Sequence, residues 1–159
     1  MSKLGKRTDQ RMAMLKNQVS ELLWYGQIET TVDRAKAVRS LAEKYITIAM
    51  RAYQDDVKVT KTVDGAKGAK QEVVFTNDGP KKLAARRRLM AELVDLQEIK
   101  GEKESKSAFK ARIKDTKHPL IEKMFKEYAP KYDARKNELG QGGGYTRILK
   151  TGTRRGDAA

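Results

Sequence analysis

The sequence predicts an α+β fold: a two-layer domain with helices packed on a small, mostly antiparallel sheet, carrying a β-hairpin insertion. Three observations lead there. Apolar residues recur at three- and four-residue spacing in several stretches, and other stretches alternate strictly. With 159 residues, 38% of them hydrophobic, the chain can bury one modest core, so residues 1–159 read as a single domain.

The elements follow in order. After a basic arm, Lys3-Leu4-Gly5-Lys6-Arg7, residues Met12, Leu15, Val19, Leu22 and Leu23 predict a helix over 9–25, with Thr8 or Asp9 as its cap and Gly26 as its stop. Residues 27–32 alternate as a short strand with Ile28 and Val32 on one side. Thr30 and Asp33 resemble a capping box for a second helix reaching about Tyr53, with Ala35, Val38, Leu41, Ala42, Tyr45, Ile46 and Ala49 as its apolar stripe. Residues 57–63 and 71–76 alternate on either side of a Gly65 to Gly68 turn, which predicts a hairpin. Gly79-Pro80 opens a third helix, given its spacing by Leu83, Met90, Leu93, Val94 and Gln97. The Lys/Glu/Ser-rich run from Ile99 to Lys117 reads as a solvated insertion, part helical through Phe109 and Ile113. Leu120, Ile121, Met124, Phe125 and Tyr128 predict a last helix stopped by Pro130. A polar connection over 134–141 then leads to Gly142-Gly143-Gly144 and an alternating strand over 145–150.

Charge narrows the partner. The chain carries 35 Lys and Arg against 21 Asp and Glu, a net +14 at pH 7, which points to a polyanion. Ten basic and five acidic residues fall in 1–53, twelve and six in 79–117, and nine and five in 118–159, whereas 54–78 holds four and five. The excess is thus spread over three segments rather than confined to a tail. Arg86-Arg87-Arg88 and Lys3, Lys6, Arg7 and Arg11 have few acids nearby in sequence. Tyr132 and Tyr145 offer rings for stacking on bases, whereas Trp24 reads as core.

Catalytic chemistry finds little support. Without cysteine there is no disulfide, thiolate metal site or Cys nucleophile, and the lone His118 precedes Pro119 at a helix start. No serine sits in a nucleophile elbow. The glycine run lacks the Gly-Lys-Ser/Thr ending of a phosphate loop and precedes a strand instead of a helix. Glu102 with Glu104, and Glu122 with Glu127, lie among lysines and read as solvated pairs, Lys126 with Glu122 among them. No catalytic residue, metal or cofactor is expected, nor a small-molecule substrate. The polar N-terminus and the lack of 18 consecutive apolar residues suggest neither secretion nor a membrane span, hence a cytoplasmic protein. Composition by itself leaves room for an architectural DNA-binding protein and, less readily, an RNA-modifying enzyme.

Several blocks, in order and spacing, resemble the bacterial large-subunit ribosomal protein family numbered seventeen in the L series. They are Lys3-Leu4-Gly5-Lys6-Arg7, Asp9-Gln10-Arg11, Ile28-Glu29-Thr30-Thr31, Ala35-Lys36 with Val38-Arg39, and Ala42-Glu43-Lys44. Further along come Ala85-Arg86-Arg87, Lys123-Met124-Phe125, Ala129-Pro130, Gly143-Gly144-Tyr145-Thr146-Arg147-Ile148-Leu149-Lys150 and Arg154-Arg155-Gly156-Asp157. They cover roughly two thirds of the chain, and the Ile-Glu-Thr-Thr and Gly-Gly-Tyr-Thr-Arg-Ile-Leu-Lys blocks are the most specific. The resemblance implies a structural constituent of the large ribosomal subunit, not an enzyme. It would bind large-subunit rRNA near the nascent-peptide exit tunnel, beside neighbouring ribosomal proteins. Relative to the family pattern, 54–80 and 99–117 are insertions. The family also runs on past Gly-Asp into an apolar strand, whereas this sequence closes at Ala159, leaving one strand of the expected sheet open.

On these grounds four contact groups are expected on rRNA: Lys3, Lys6, Arg7 and Arg11; Lys36 and Arg39; Arg86, Arg87 and Arg88; and Tyr145, Arg147, Lys150, Arg154 and Arg155. Phosphate neutralisation and shape would dominate over base reading.

Overall fold

The computed structural model describes residues 3–64, 70–114, 116–153 and 155–157. Its elements are α1 (Thr8–Tyr25), α2 (Val32–Met50), β1 (Asp56–Asp64), β2 (Lys70–Asp78), α3 (Pro80–Glu92), α4 (Lys106–Ile113), α5 (Pro119–Lys123), a π-helical turn at Met124–Tyr128, and α6 (Ala129–Leu139). The chain is α+β, as its periodicities predict.

Leu15, Val19 and Leu23 recur every four residues and bury one face of α1. Arg7, in extended conformation, precedes the helix without a side-chain cap. Thr8 and Asp9 therefore lie inside the first turn instead of capping it, and Asp9 there meets the positive end of the helix dipole. Gly26 ends the helix as expected. Its φ of 83° suits a residue without Cβ, and its N–H reaches the Leu22 carbonyl. Two further terminal carbonyls are served from far along the chain, by Lys123 Nζ on Trp24 O at 2.7 Å and Tyr128 OH on Leu23 O at 2.8 Å. Trp24 packs partly against the core with the Lys123 ammonium 5.5 Å from its ring centroid.

Helix α2 is the central element, burying Ala37, Val38, Ala42, Tyr45, Ile46, Ala49 and Met50. The N-cap is Thr31 rather than Thr30 and makes no side-chain cap bond, so the predicted Thr30 and Asp33 capping box is not made, and a turn over 51–54 takes the place of the last helical residues expected. Residues 27–32 and 145–150 are not strands: among the described residues only β1 and β2 pair. Alternation favours extended backbone, but a ladder needs a second strand in register, and neither segment has one.

Helix α3 shows a shift of face. The buried residues are Ala85, Leu89 and Leu93; Leu89 is 0% exposed and Met90 41%. The spacing of Leu83, Met90 and Val94 picked a neighbouring stripe because alanine at 85 carries no clear apolar signal. Helix α4 buries nothing and is held locally. Ser105 Oγ accepts from Ala108 N at 3.1 Å, and Arg112 pairs with Glu98 and, at 3.1 Å, with Glu104. Within the 99–117 insertion Arg112 is thus tied to Glu104, and to Glu98 just ahead of it.

Pro130 does not end the last helix. A proline inside a helix lacks its N–H and crowds the carbonyl four residues back. Here the turn ahead of it widens to π geometry over Met124–Tyr128, and α6 continues to Leu139, with Gly140 at φ 66° as its stop. The stretch read as a polar connection is therefore helical as far as Leu139. Leu15, Val19, Val38, Ala42, Ala49, Leu89, Leu120, Met124 and Ala129 form the centre of one core shared by α1, α2, α3, α5 and α6. Each fully buried Leu or Met there contributes about 1.5–3 kcal/mol of hydrophobic stabilisation.

The hairpin joins this body at its base. Gly79 N–H donates to Asp55 O at 2.7 Å, and Asp55 Oδ2 accepts from Lys81 N at 2.7 Å and Lys82 N at 3.3 Å, capping α3 from another part of the chain. Lys82 Nζ meets Asp56 at 2.6 Å, and Arg86 pairs with Asp78. Strand register runs from Asp56 opposite Asp78 to Asp64 opposite Lys70. The Gly65 to Gly68 turn lies outside the described residues.

Candidate nucleic-acid interface

Because α2 turns its apolar stripe inward, its cations are left outside. Lys36, Ser40, Lys44, Thr47 and Arg51 recur at three- and four-residue intervals, so the three cations share one face over roughly 22 Å of helix. All three are exposed, and none has an acid partner among the described residues. Arg87 and Arg88 on α3 are likewise exposed and unpaired there, since burial of Ala85 and Leu89 turns them outward.

The segment after the glycine run lies across α2 and α6. Gly143 and Gly144 take φ of 101° and 62°, which a residue with a Cβ adopts only with strain, and this turns the chain onto the helix. Tyr145 OH then approaches Met50 Sδ at 3.6 Å, and its ring centroid lies 4.7 Å from that of Tyr132. Thr146 Oγ1 donates to Glu43 Oε1 at 2.9 Å, and Arg135 donates to Gly144 O at 3.4 Å. Burial works to raise the Glu43 pKa, but hydrogen bonds from Thr146 and Arg39 hold it below its ordinary value, so the carboxylate anchors the segment in ionised form. Between this segment and the helices runs an open groove of about 360 Å³, lined by Lys44, Thr47, Arg51, Arg88, Gly143 and Tyr145. Lys44 and Arg51 lie off the apolar stripe read from sequence but belong to none of the four expected contact groups. Their regular spacing with Lys36 was the available signal.

The other expected residues are placed as follows. Lys3, Lys6 and Arg7 are exposed in the arm, and Arg7 reaches Asp9 at 2.7 Å, which lowers the Asp9 pKa. Arg11 is half-buried, with Nε lacking a hydrogen-bond partner. Arg39 pairs with Glu43 at 3.3 Å. Arg147, Lys150 and Arg155 are exposed; Arg154 lies outside the described residues.

Two of the expected residues are engaged within the fold. Arg86 has few acids nearby in sequence, yet it binds Asp78 through Nε and Nη2 and Glu122 through Nη1 at 2.5 Å, and it lies 5.1 Å from the Phe125 ring centroid. The partners come from β2, eight residues back, and from α5, 36 residues on, the second beyond a local sequence window. The Arg86 guanidinium lowers the Asp78 pKa. At Glu122, burial opposes that effect and is outweighed by bonds from Arg86 and Lys126. Arg86 therefore ties the hairpin, α3 and α5 together. Tyr145 packs its ring on Tyr132 and Met50, which anchors the segment while leaving the residue half-exposed. His118 precedes α5 as expected, with Nδ1 3.0 Å from Asp95 Oδ2.

Among the described residues, no group of three or more His, Cys, Asp or Glu could hold a metal ion, and no helix is long and apolar enough to cross a membrane. Cations directed outward from a folded helical body define the class: a basic α+β protein with net charge +14. Sequence comparison gives the family. The family described as Ribosomal protein L17 matches residues 14–159, and the chain belongs to it, a family of structural ribosomal components rather than enzymes. Large ribosomal subunit protein bL17 of Lachnospira eligens is 37% identical over 99% of this chain and 93% of its own length. The proteins of that name from Clostridium acetobutylicum and Clostridium tetani are 37% and 36% identical, each over 99% of this chain and 88% of theirs.

Proposed function

We propose that this protein is a structural constituent of the bacterial large ribosomal subunit, in the cytoplasm, that binds large-subunit rRNA near the nascent-peptide exit tunnel. The observation that carries the rRNA contact is the set of exposed cations on α2 and α3 without acid partners among the described residues, in a chain whose relatives are named as large-subunit proteins. Lys36, Lys44 and Arg51, with Arg39 beside them, follow one phosphate track. Arg87 and Arg88 face a second strand across the groove from the Gly143–Tyr145 segment. Lys3, Lys6, Arg7 and Arg11 hold RNA at one end of the chain, and Arg147, Lys150, Arg154 and Arg155 at the other. Recognition is by phosphate position and helix shape, the mode suited to arginine forks and to double-stranded RNA. Neighbouring large-subunit proteins complete its surroundings.

Sedimentation of the tagged protein from lysate through a sucrose gradient, repeated after a high-salt wash, tests the subunit role. Stoichiometric comigration with large subunits through the wash is expected; release to light fractions or pelleting with DNA would contradict it. Tethered hydroxyl-radical cleavage from Lys36→Cys in the particle tests the location. Cuts confined to rRNA remote from the tunnel exit would remove that part of the reading.

A further inference from the structure

The hairpin inserted before α3 carries an apolar face that the described body leaves open. Antiparallel register places Val57, Val59 and Lys61 of β1 opposite Asn77, Phe75 and Val73 of β2, so these six share one side of the ribbon. Val57, Val73 and Phe75 are 45%, 38% and 40% exposed. Lys61 is the one charge among them, its ammonium 5.8 Å from the Phe75 ring centroid. The other side bears Lys58, Thr60, Thr62, Glu72 and Thr76, interrupted by Val74. At its base the ribbon is fixed by Asp55 on α3, by Lys82 on Asp56 and by Arg86 on Asp78, which gives the face a defined direction.

We propose that this face docks on an apolar patch of a neighbouring protein in the large subunit, one that brings a carboxylate to Lys61. The inference rests on the subunit role proposed above. Charge disfavours RNA as the occupant. Residues 54–78 hold four Lys and Arg against five Asp and Glu in a chain of net +14, and the face offers a single cation to phosphate. Size disfavours a second copy. Two nine-residue strands present about 30 Å by 10 Å, so a symmetric contact would bury roughly 600 Å² in all, well short of the ~1,200 Å² at which stable complexes begin. A protein already held alongside by the same rRNA needs no such area, because tethering raises its effective concentration. An isolated two-stranded ribbon is itself marginal in water, and cover on one face supplies what it lacks.

The test uses photocrosslinking in purified large subunits carrying the full chain with Phe75→benzoylphenylalanine, and in parallel Thr60→benzoylphenylalanine on the opposite face. The expected result is an adduct from position 75 to one identified large-subunit protein, absent from position 60, and lost when Val57→Thr and Val73→Thr are added. Threonine keeps strand propensity and these sites lie outside the core, so folding is preserved. An adduct to rRNA, to a second copy, equally from both faces, or to nothing while the protein remains in the particle overturns this inference alone. Absence of the unsubstituted protein from large subunits overturns the subunit role and this inference together.

Discussion

Replacing Asp55 tests how the hairpin is joined to the helical body. Its carboxylate accepts two backbone N–H groups at the start of α3, at 2.7 and 3.3 Å, where Gly79 has no side chain to do so. Removal of such a cap costs about 1–2 kcal/mol, so Asp55→Ala should lower the midpoint of thermal unfolding by roughly 3–6 °C in a chain of this size. Gly79→Ala should act through the same atoms. Gly79 has φ of −70°, which alanine accepts, but a Cβ there would stand 2.5 Å from Asp55 Cγ and displace the carboxylate. The two costs are therefore one cost counted twice. In an Asp55→Ala background Gly79→Ala should lose only a few tenths of a kcal/mol, giving a coupling of about 1 kcal/mol in the double-mutant cycle. Circular dichroism melts of the four proteins read this directly. Additive losses, or an unchanged midpoint in Asp55→Ala, would refute the trans-cap.

Three further outcomes follow from the packing. Leu89→Ala should destabilise by about 2–5 kcal/mol and Met90→Ala by well under 1, as measured by urea unfolding, because one side chain is buried and the other is not. Arg86 holds Asp78 and Glu122 below their ordinary values of 3.8 and 4.5. Their contribution is thus full above about pH 4.5 and is lost as pH falls through the lowered values. Arg86→Met should flatten that acid-side loss in melts run against pH and cost about 1–2 kcal/mol at neutrality. Burial, with Glu92 beside it, pushes the Tyr45 phenol up to about 12, so ultraviolet titration should show a late tyrosine that Tyr45→Phe removes.

What could be read from sequence was what local chemistry decides. Gly26 as a helix stop, Pro80 as a helix start and the alternation of 57–63 are each set by a few neighbouring residues, and each holds in the structure. The face of α3 was not legible, because Ala85 signals burial weakly while exposed Met90 signals it strongly. Nor was the passage through Pro130, where a widened turn absorbs the proline without ending the helix. The candidate interface divides along the same line. Net charge and the exposed cations of α2 follow from composition and helical spacing. The diversion of Arg86 depends on Asp78 and on Glu122, 36 residues away, and the anchoring of Tyr145 depends on Met50, 95 residues away. Pairing decides which cations remain for a partner, and its long-range share, Arg86 on Glu122 above all, lies outside any local window.

The most direct test of the central claim is the salt dependence of binding between the purified protein and large-subunit rRNA fragments. Replacing Lys44, Arg51, Arg87 and Arg88 together by Ala should reduce the slope of log K against log salt by about three, whereas Arg86→Met should leave it unchanged. Equal slopes for the fourfold variant and the parent, or a larger change from Arg86→Met, would contradict the assignment of these outward cations to rRNA.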